Sequence, residues 1–136
     1  MSVVYNKIGL VSSVIDNSIK ELIGEAPTVI RNDIRQRMNK PHSGRIYKRG
    51  NVSHQASAPG EAPAIDTSNL LNSIETVNIS PLKSAVQSDA VQSLALELGR
   101  PEKNLAPRPA WIPAANNFVK YAVKKLKALV GKVQNV

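Results

Sequence analysis

The chain of 136 residues contains no cysteine and only five aromatic residues. The lack of thiols excludes a disulfide framework, a thiolate nucleophile and the common cysteine-ligated zinc and iron–sulfur sites. Aliphatic side chains and alanine are left to build the core of a single domain. Polar residues interrupt every apolar stretch well short of the roughly 18–20 residues that span a bilayer, and residues 1–12 lack the features of a signal peptide. We therefore expect no membrane contact.

Familiar catalytic and metal-binding patterns are also missing. His42 and His54 have no acidic or histidine partner at i+4, whereas a transition-metal site generally needs three or four converging ligands. The ten acidic residues are scattered, and no serine lies in a nucleophile elbow or a phosphate-binding loop. We expect no catalytic residue, no metal and no cofactor. An enzyme would need groups that converge from distant positions of the fold.

Positive charge is abundant. Eighteen lysines and arginines against ten acidic residues give a formal net charge of +8. Seven basic residues fall between Arg31 and Arg49, where only Asp33 opposes them, and no acidic residue follows Glu102. These clusters suit non-specific contact with DNA phosphates, although the polar face of an amphipathic helix would also account for the second one.

Apolar spacing predicts a long helix over residues 6–39. Gly24 and Pro27 interrupt it, which predicts either a bend or a split into two helices. The stripe stays in phase across this point, which favours the bent helix. Its members recur in steps of three and four: Ile8, Val11, Ile15, Ile19, Leu22, Ala26, Ile30, Ile34 and Met38.

Residues 40–66 are punctuated by proline and glycine and hold few large apolar side chains. The pattern predicts an extended, arm-like loop. Such a segment either becomes ordered against neighbouring molecules or is a plain flexible loop, and the sequence gives both interpretations equal weight.

The second half of the chain alternates short elements. Asp66 is the expected N-cap of a helical turn over 67–72, followed by a hairpin with strands at 73–80 and 85–88. A short helix with Val91, Leu94, Ala95 and Leu98 on one face ends at Gly99. The proline-rich segment 100–113 is expected to be extended, with Pro113 opening a last helix over 114–133. Together these elements predict an α+β fold in which the C-terminal helix packs over one face of a small antiparallel sheet.

Several motifs, taken in order, resemble those of the tailed-phage neck and tail-completion family, which includes the minor tail protein Z of phage lambda. The central segment 57–74 begins Ser-Ala-Pro-Gly-Glu-Ala-Pro-Ala-Ile-Asp-Thr and resembles a signature of that family. Three further matches flank it: Ser43-Gly44-Arg45-Ile46-Tyr47, Glu97-Leu98-Gly99 and Ala106-Pro107-Arg108-Pro109-Ala110-Trp111.

The resemblance implies a structural virion protein of the head–tail connector, without catalysis. It would be a tail-completion subunit of a homo-oligomeric ring, with six-fold symmetry carried over from the tail, joining tail to head around the DNA channel. Its partners would be neighbouring neck and tail proteins: a stopper or adaptor, and the tail terminator or tail tube. It would be found in the virion, and in the host cytoplasm during assembly. A tail terminator, or a basic protein that binds DNA non-specifically, remains the alternative.

Two sets of residues are candidates for contacts in such a ring. Residues 50–65 of the arm-like loop and the segment 105–113 are expected to touch neighbouring subunits, with intramolecular packing as the alternative, above all for Trp111 as the largest residue of the core. The subunit-contact candidates are Tyr47, Pro59, Gly60, Pro63, Pro107, Arg108, Pro109 and Trp111. The basic residues expected at the DNA channel are Arg45, Lys48, Arg49, Lys120, Lys124, Lys125 and Lys127.

Overall fold

A computed structural model describes residues 2–134, with side chains from residue 9 to residue 134, so the predicted side-chain position of Ile8 lies outside the described residues. The fold is α+β, as predicted, with two separate antiparallel hairpins in place of one sheet. The elements are α1 (Ser2–Asn39), β1 (Ile46–Arg49), β2 (Val52–Gln55), α2 (Asn69–Asn72), β3 (Ile74–Ser80), β4 (Lys83–Ser88), α3 (Ser93–Leu98), a 3-10 turn (Pro101–Lys103) and α4 (Trp111–Val133).

Helix α1 is continuous through Pro27, so the chain has one long helix and is not split into two helices at this point. It begins at Ser2 rather than at residue 6. Because proline has no N–H, the carbonyl of Ile23, four residues earlier, loses its helical partner. The hydroxyl of Ser84 on β4 donates to that carbonyl at 2.7 Å. Pro27 therefore leaves a free carbonyl acceptor on α1, and β4 is hydrogen-bonded to α1 at that carbonyl.

Residues 40–66 are not the extended loop that was predicted, because they contain the hairpin β1–β2. Its register runs from Ile46 opposite Gln55 to Arg49 opposite Val52, leaving Gly50 and Asn51 as the connecting residues. Gly50 has φ 60°, a left-handed conformation that glycine adopts without strain. Gly-Asn between two short β-prone runs is a recognised hairpin signal, and the proline and glycine content around it obscured that signal.

The second hairpin, β3–β4, lies at the predicted position, although β4 begins at Lys83 rather than at residue 85. Its register starts with Ile74 opposite Ser88 and shifts between Asn78 and Ser80. Asp66 is not an N-cap. Helix α2 begins later than predicted, and the carboxylate of Asp66 is paired instead with Arg49, at 2.8 Å between Oδ2 and Nη2. Asp66 therefore forms an ion pair with a residue of β1 and does not cap α2.

Helix α3 ends at Gly99, as its sequence suggested, but its apolar stripe does not face the core. Val91, Leu94 and Leu98 are exposed, whereas Glu97 is buried. Helix α4 begins at Trp111 and not at residue 114, with Pro113 in its first turn, where the absent N–H is tolerated. The residue before α4, Ala110, offers no side-chain cap, and the buried carboxylate of Glu97 takes that role.

The core lies where α1, β3 and the start of α4 meet. Its buried members are Ile34, Met38, Ile74, Ala110 and Ala114, with Trp111 partly buried against them. The main contacts of α4 are with α1, and not with the sheet as predicted. Helix α1 also packs against β3 and β4. The two helices run antiparallel, because Asn117 donates to Asp33 at 3.3 Å while Lys125 donates to Glu25 at 3.2 Å.

Candidate functional site

The hairpin of residues 46–55, called the arm below, is largely exposed to solvent. All four residues of β1 and three of the four in β2 are exposed. Ile46 is 62% exposed and Val52 67% exposed. Leaving two large aliphatic side chains in water forgoes burial worth roughly 1.5–3 kcal/mol for each, so this surface suits contact with another molecule.

The base of the arm is closed by further backbone hydrogen bonds. The N–H of Gly44 donates to the carbonyl of Ala56 at 2.9 Å, and the N–H of Ala56 donates to that of Arg45 at 2.9 Å. A side chain at position 44 has no room, since a Cβ there would lie 2.5 Å from the carbonyl oxygen of Ala56 and 2.7 Å from that of Ser57. Glycine at position 44 is therefore required by close backbone approach.

The carboxylate of Glu61 ties the two ends of the arm together. It accepts the N–H of Ala58 at 2.8 Å, the N–H of Ser43 at 3.1 Å and the hydroxyl of Ser43. The Ser43 hydroxyl and then the N–H groups of Ala58 and Ser43 lower the pKa of Glu61 from 4.5 to about 2, against the opposing effect of burial. Nδ1 of His42 lies 3.5 Å from the same carboxylate, and Nε2 of His42 bonds to the carbonyl of Met38 at 3.1 Å.

A third segment joins this cluster from far along the chain. The guanidinium of Arg108 donates to the carbonyl of Ser57 at 3.2 Å, and the N–H of Gly60 donates to the carbonyl of Pro107 at 3.0 Å. The N–H of Arg108 in turn donates to the carbonyl of Leu96 at 2.7 Å. We call the hydrogen-bonded set formed by residues 43–45, 56–61 and 105–108 the junction.

The Glu-x-Gly motif lies directly beside the junction. Oε2 of Glu97 accepts the N–H groups of Ala110 at 2.8 Å and Trp111 at 3.0 Å, and Oε1 accepts that of Ile112 at 2.8 Å. A carboxylate at a helix N-terminus satisfies N–H groups that have no partner within the helix. At Gly99, φ is 76° and a Cβ would lie 2.8 Å from the carbonyl oxygen of Leu105, so this motif also fixes the path into α4.

The predicted subunit contacts divide into exposed and internal positions. Tyr47, Pro59, Gly60 and Pro107 are exposed, and the ring of Tyr47 contacts that of His54 at 5.5 Å between centroids. Pro63 is buried within the chain, so its surface is not open to a neighbouring subunit. Three candidates are partly buried and lie in or next to the junction: Arg108, Pro109 and Trp111.

The predicted DNA-channel residues are all exposed, but they are not equivalent. Arg49 is paired with Asp66, and Lys125 is paired with Glu25 at 3.2 Å. The pKa of Lys125 is raised first by its hydrogen bond to Tyr121 and then by Glu25. Within the described residues, the other five have no acidic side chain at ion-pair distance: Arg45, Lys48, Lys120, Lys124 and Lys127.

The sequence analysis did not identify the roles of Glu61, Glu97 and Ser84, whose side chains form hydrogen bonds with backbone groups of other segments. The first two stood inside the motifs, but an acidic residue in a motif does not reveal that it will accept backbone N–H groups. Among residues 9–134, no group of three or more histidine and acidic side chains is arranged to hold a metal ion. None of the helices in the described part of the chain is long and apolar enough to cross a membrane.

Comparisons of the chain with protein-family models, with curated proteins and with solved structures give no match.

Proposed function

We propose that this protein is a structural subunit of the tailed-phage neck, a tail-completion protein that forms a ring of identical copies between head and tail. One observation carries the proposal. The motifs that resemble the neck family lie far apart in the sequence, yet they contact one another at the junction and beside it. These contacts fix the base of the exposed arm.

The arm suits a ring subunit for a physical reason. A two-stranded hairpin is marginally stable alone, and this one is fixed at its base by the junction while its apolar residues Ile46 and Val52 stay in water. A closed ring needs a heterologous interface, in which a surface of one subunit meets a different surface of the next. An anchored, projecting hairpin is a natural donor surface for such an interface.

The carboxylates of Glu61 and Glu97 have structural roles in this proposal. Both accept backbone N–H groups, which fix the arm and the start of α4. The same use of backbone acceptors and donors extends to Arg108, whose guanidinium donates to two carbonyls. The proposal therefore assigns the motifs to shape and assembly, without catalysis.

Quantitative mass spectrometry of purified particles tests the proposal. In particles from cells that make this protein, we expect the chain at a fixed ratio to the portal that corresponds to one ring. Its absence from intact particles would contradict the proposal. If the chain is present in particles, the alternative is that it is the neighbouring tail terminator. The position of the ring along the axis of the neck distinguishes a tail-completion protein from a tail terminator.

A second candidate, a basic protein that binds DNA by itself, is favoured by the five exposed basic side chains without an acidic partner described above. A salt titration of duplex DNA binding by the isolated chain separates the two. Each phosphate contact contributes about −0.9 to the slope of log affinity against log salt. The ring proposal predicts that binding is lost at physiological salt, whereas tight binding there would favour the second candidate.

A further inference from the structure

Helix α1 carries two neighbouring arginines, Arg31 and Arg35, to which the proposed function gives no role. They are four residues apart and so lie on one face of the helix, with about 5–6 Å between their Cβ atoms. Both are half-buried. Within the part of the chain that the structure describes, neither has an acidic side chain at ion-pair distance. This arginine pair therefore places two positive charges side by side without a counter-charge.

The N–H donors of the arginine pair also have few acceptors. Nε of Arg31 and Nε of Arg35 are shielded from solvent, and neither has a hydrogen-bond partner among the described residues. Among the same residues, the two guanidinium groups make one hydrogen bond, from Nη2 of Arg35 to the carbonyl of Ile74 at 3.3 Å. Both Nη atoms of Arg31 and Nη1 of Arg35 are left open to solvent. These terminal nitrogens are thus held at the surface, where they can donate to a ligand.

The other half-buried arginines of the chain do have partners. Arg37 pairs with Asp33 at 2.9 Å, and the guanidinium of Arg108 donates to the carbonyls of Ser57 and Ala106. Arginine keeps its charge in proteins, and two like charges that are partly withdrawn from water repel each other more strongly than exposed ones. A bound anion would offset the repulsion within the arginine pair and accept its free N–H groups.

The number and geometry of these donors favour a phosphate group as the anion. One guanidinium matches one carboxylate, because its two parallel N–H groups meet two oxygens. Two adjacent guanidinium groups offer more donors and more charge than one carboxylate can accept, whereas a phosphate group has further acceptor oxygens and up to two negative charges. We propose that Arg31 and Arg35 form a binding site for a phosphate group, supplied either by a free phosphate compound or by the backbone of DNA.

Thermal unfolding of the full chain in inorganic phosphate tests the site. The thermal midpoint is measured at rising phosphate concentration, with the ionic strength held constant by sodium chloride. A ligand that binds only the folded state raises the midpoint once its concentration passes the Kd. We expect this rise in the wild type and its loss in the double variant Arg31→Gln, Arg35→Gln. The variant Arg31→Lys, Arg35→Lys keeps both charges but lacks the planar donors, so its affinity for phosphate should fall at least severalfold.

The matched control is Lys20→Gln with Lys103→Gln, which removes the same charge from two exposed positions, one of them on α1. It should respond to phosphate as the wild type does. An equal rise in the wild type and both arginine variants would overturn the proposal, because phosphate also stabilises proteins by being excluded from their surface. An equal rise with acetate in place of phosphate would also overturn it, since the site would then suit the carboxylate of a protein partner.

Duplex DNA distinguishes the two sources of the phosphate group. If the DNA backbone supplies it, a short duplex at low salt should bind the Arg31→Gln, Arg35→Gln variant at least severalfold more weakly than the lysine control. If both variants bind DNA equally while only the control responds to inorganic phosphate, the ligand is a free phosphate compound. Neither measurement depends on ring assembly, so a failure of this site leaves the proposed function standing.

Discussion

Single residues in this protein act chiefly by satisfying the backbone. Glu97 accepts three N–H groups at the start of α4, Glu61 accepts two at the base of the arm, and Ser84 donates to the carbonyl that Pro27 leaves free. Buried backbone groups without partners are costly, so each of these side chains stabilises a specific path of the chain.

Gly44→Ala should destabilise the protein, because the new Cβ would meet the backbone of Ala56 and Ser57. Such overpacking costs roughly 1–3 kcal/mol in the free energy of unfolding, measured by urea denaturation. Gly24→Ala is the matched control. It lies in the middle of α1 with open space around it, so the same change should stabilise the helix by about 0.5–1 kcal/mol. Equal effects at both positions would contradict this account.

Glu97→Ala should lower the free energy of unfolding by about 2–3 kcal/mol, because three N–H groups lose a charged acceptor in a buried place. Urea denaturation followed by circular dichroism measures the change. Glu102→Ala is the control, since that exposed carboxylate only pairs with Arg100, and a change within about 0.5 kcal/mol is expected. A Glu97→Ala protein as stable as the control would show that the cap has no energetic role.

The low pKa of Glu61 predicts acid sensitivity. Because the pKa is lowered from 4.5 to about 2 on folding, the ionised carboxylate stabilises the protein above pH 4.5, and this contribution is lost as the pH falls towards 2. Glu61→Gln should therefore lose less stability than the wild type over that interval, measured as the thermal midpoint at each pH. Glu75→Gln, an exposed control on β3, should keep the wild-type slope. Identical slopes for all three proteins would refute the assignment.

At the scale of elements, the arm is anchored at its base but is not covered by a second layer of structure. The junction explains how a four-residue strand pair persists without a second layer. It also places Ile46 and Val52 where only another molecule can bury them.

Ile46→Ser combined with Val52→Ser should therefore separate folding from assembly. Exposed substitutions usually change the free energy of unfolding by less than about 0.5 kcal/mol, so the chain should fold normally. Its incorporation into particles should nevertheless fall sharply in a complementation experiment. The control, Leu82→Ser, alters an equally exposed apolar residue at the tip of the other hairpin and should be incorporated normally. Normal incorporation of the arm variant would remove the arm from the interface.

At the scale of the whole molecule, the helices and strands with a periodic apolar pattern could be predicted from the sequence. The contacts between distant segments could not. The step of three and four residues predicts α1 and α4, and alternation predicts β3–β4. The inward turn of Glu97 was not predictable, because apolar spacing favours burying Leu94 and Leu98 instead. Glu97 is buried instead because its carboxylate accepts the first N–H groups of α4, which belong to a segment further along the chain. The junction similarly depends on three segments meeting, which no local pattern contains.

Cryo-EM reconstruction of the particle neck shows whether this chain forms the proposed ring. We expect one ring of this chain between head and tail, with the arm of each subunit buried against its neighbour. A neck in which this chain is absent, or a ring in which Ile46 and Val52 remain in solvent, would contradict it.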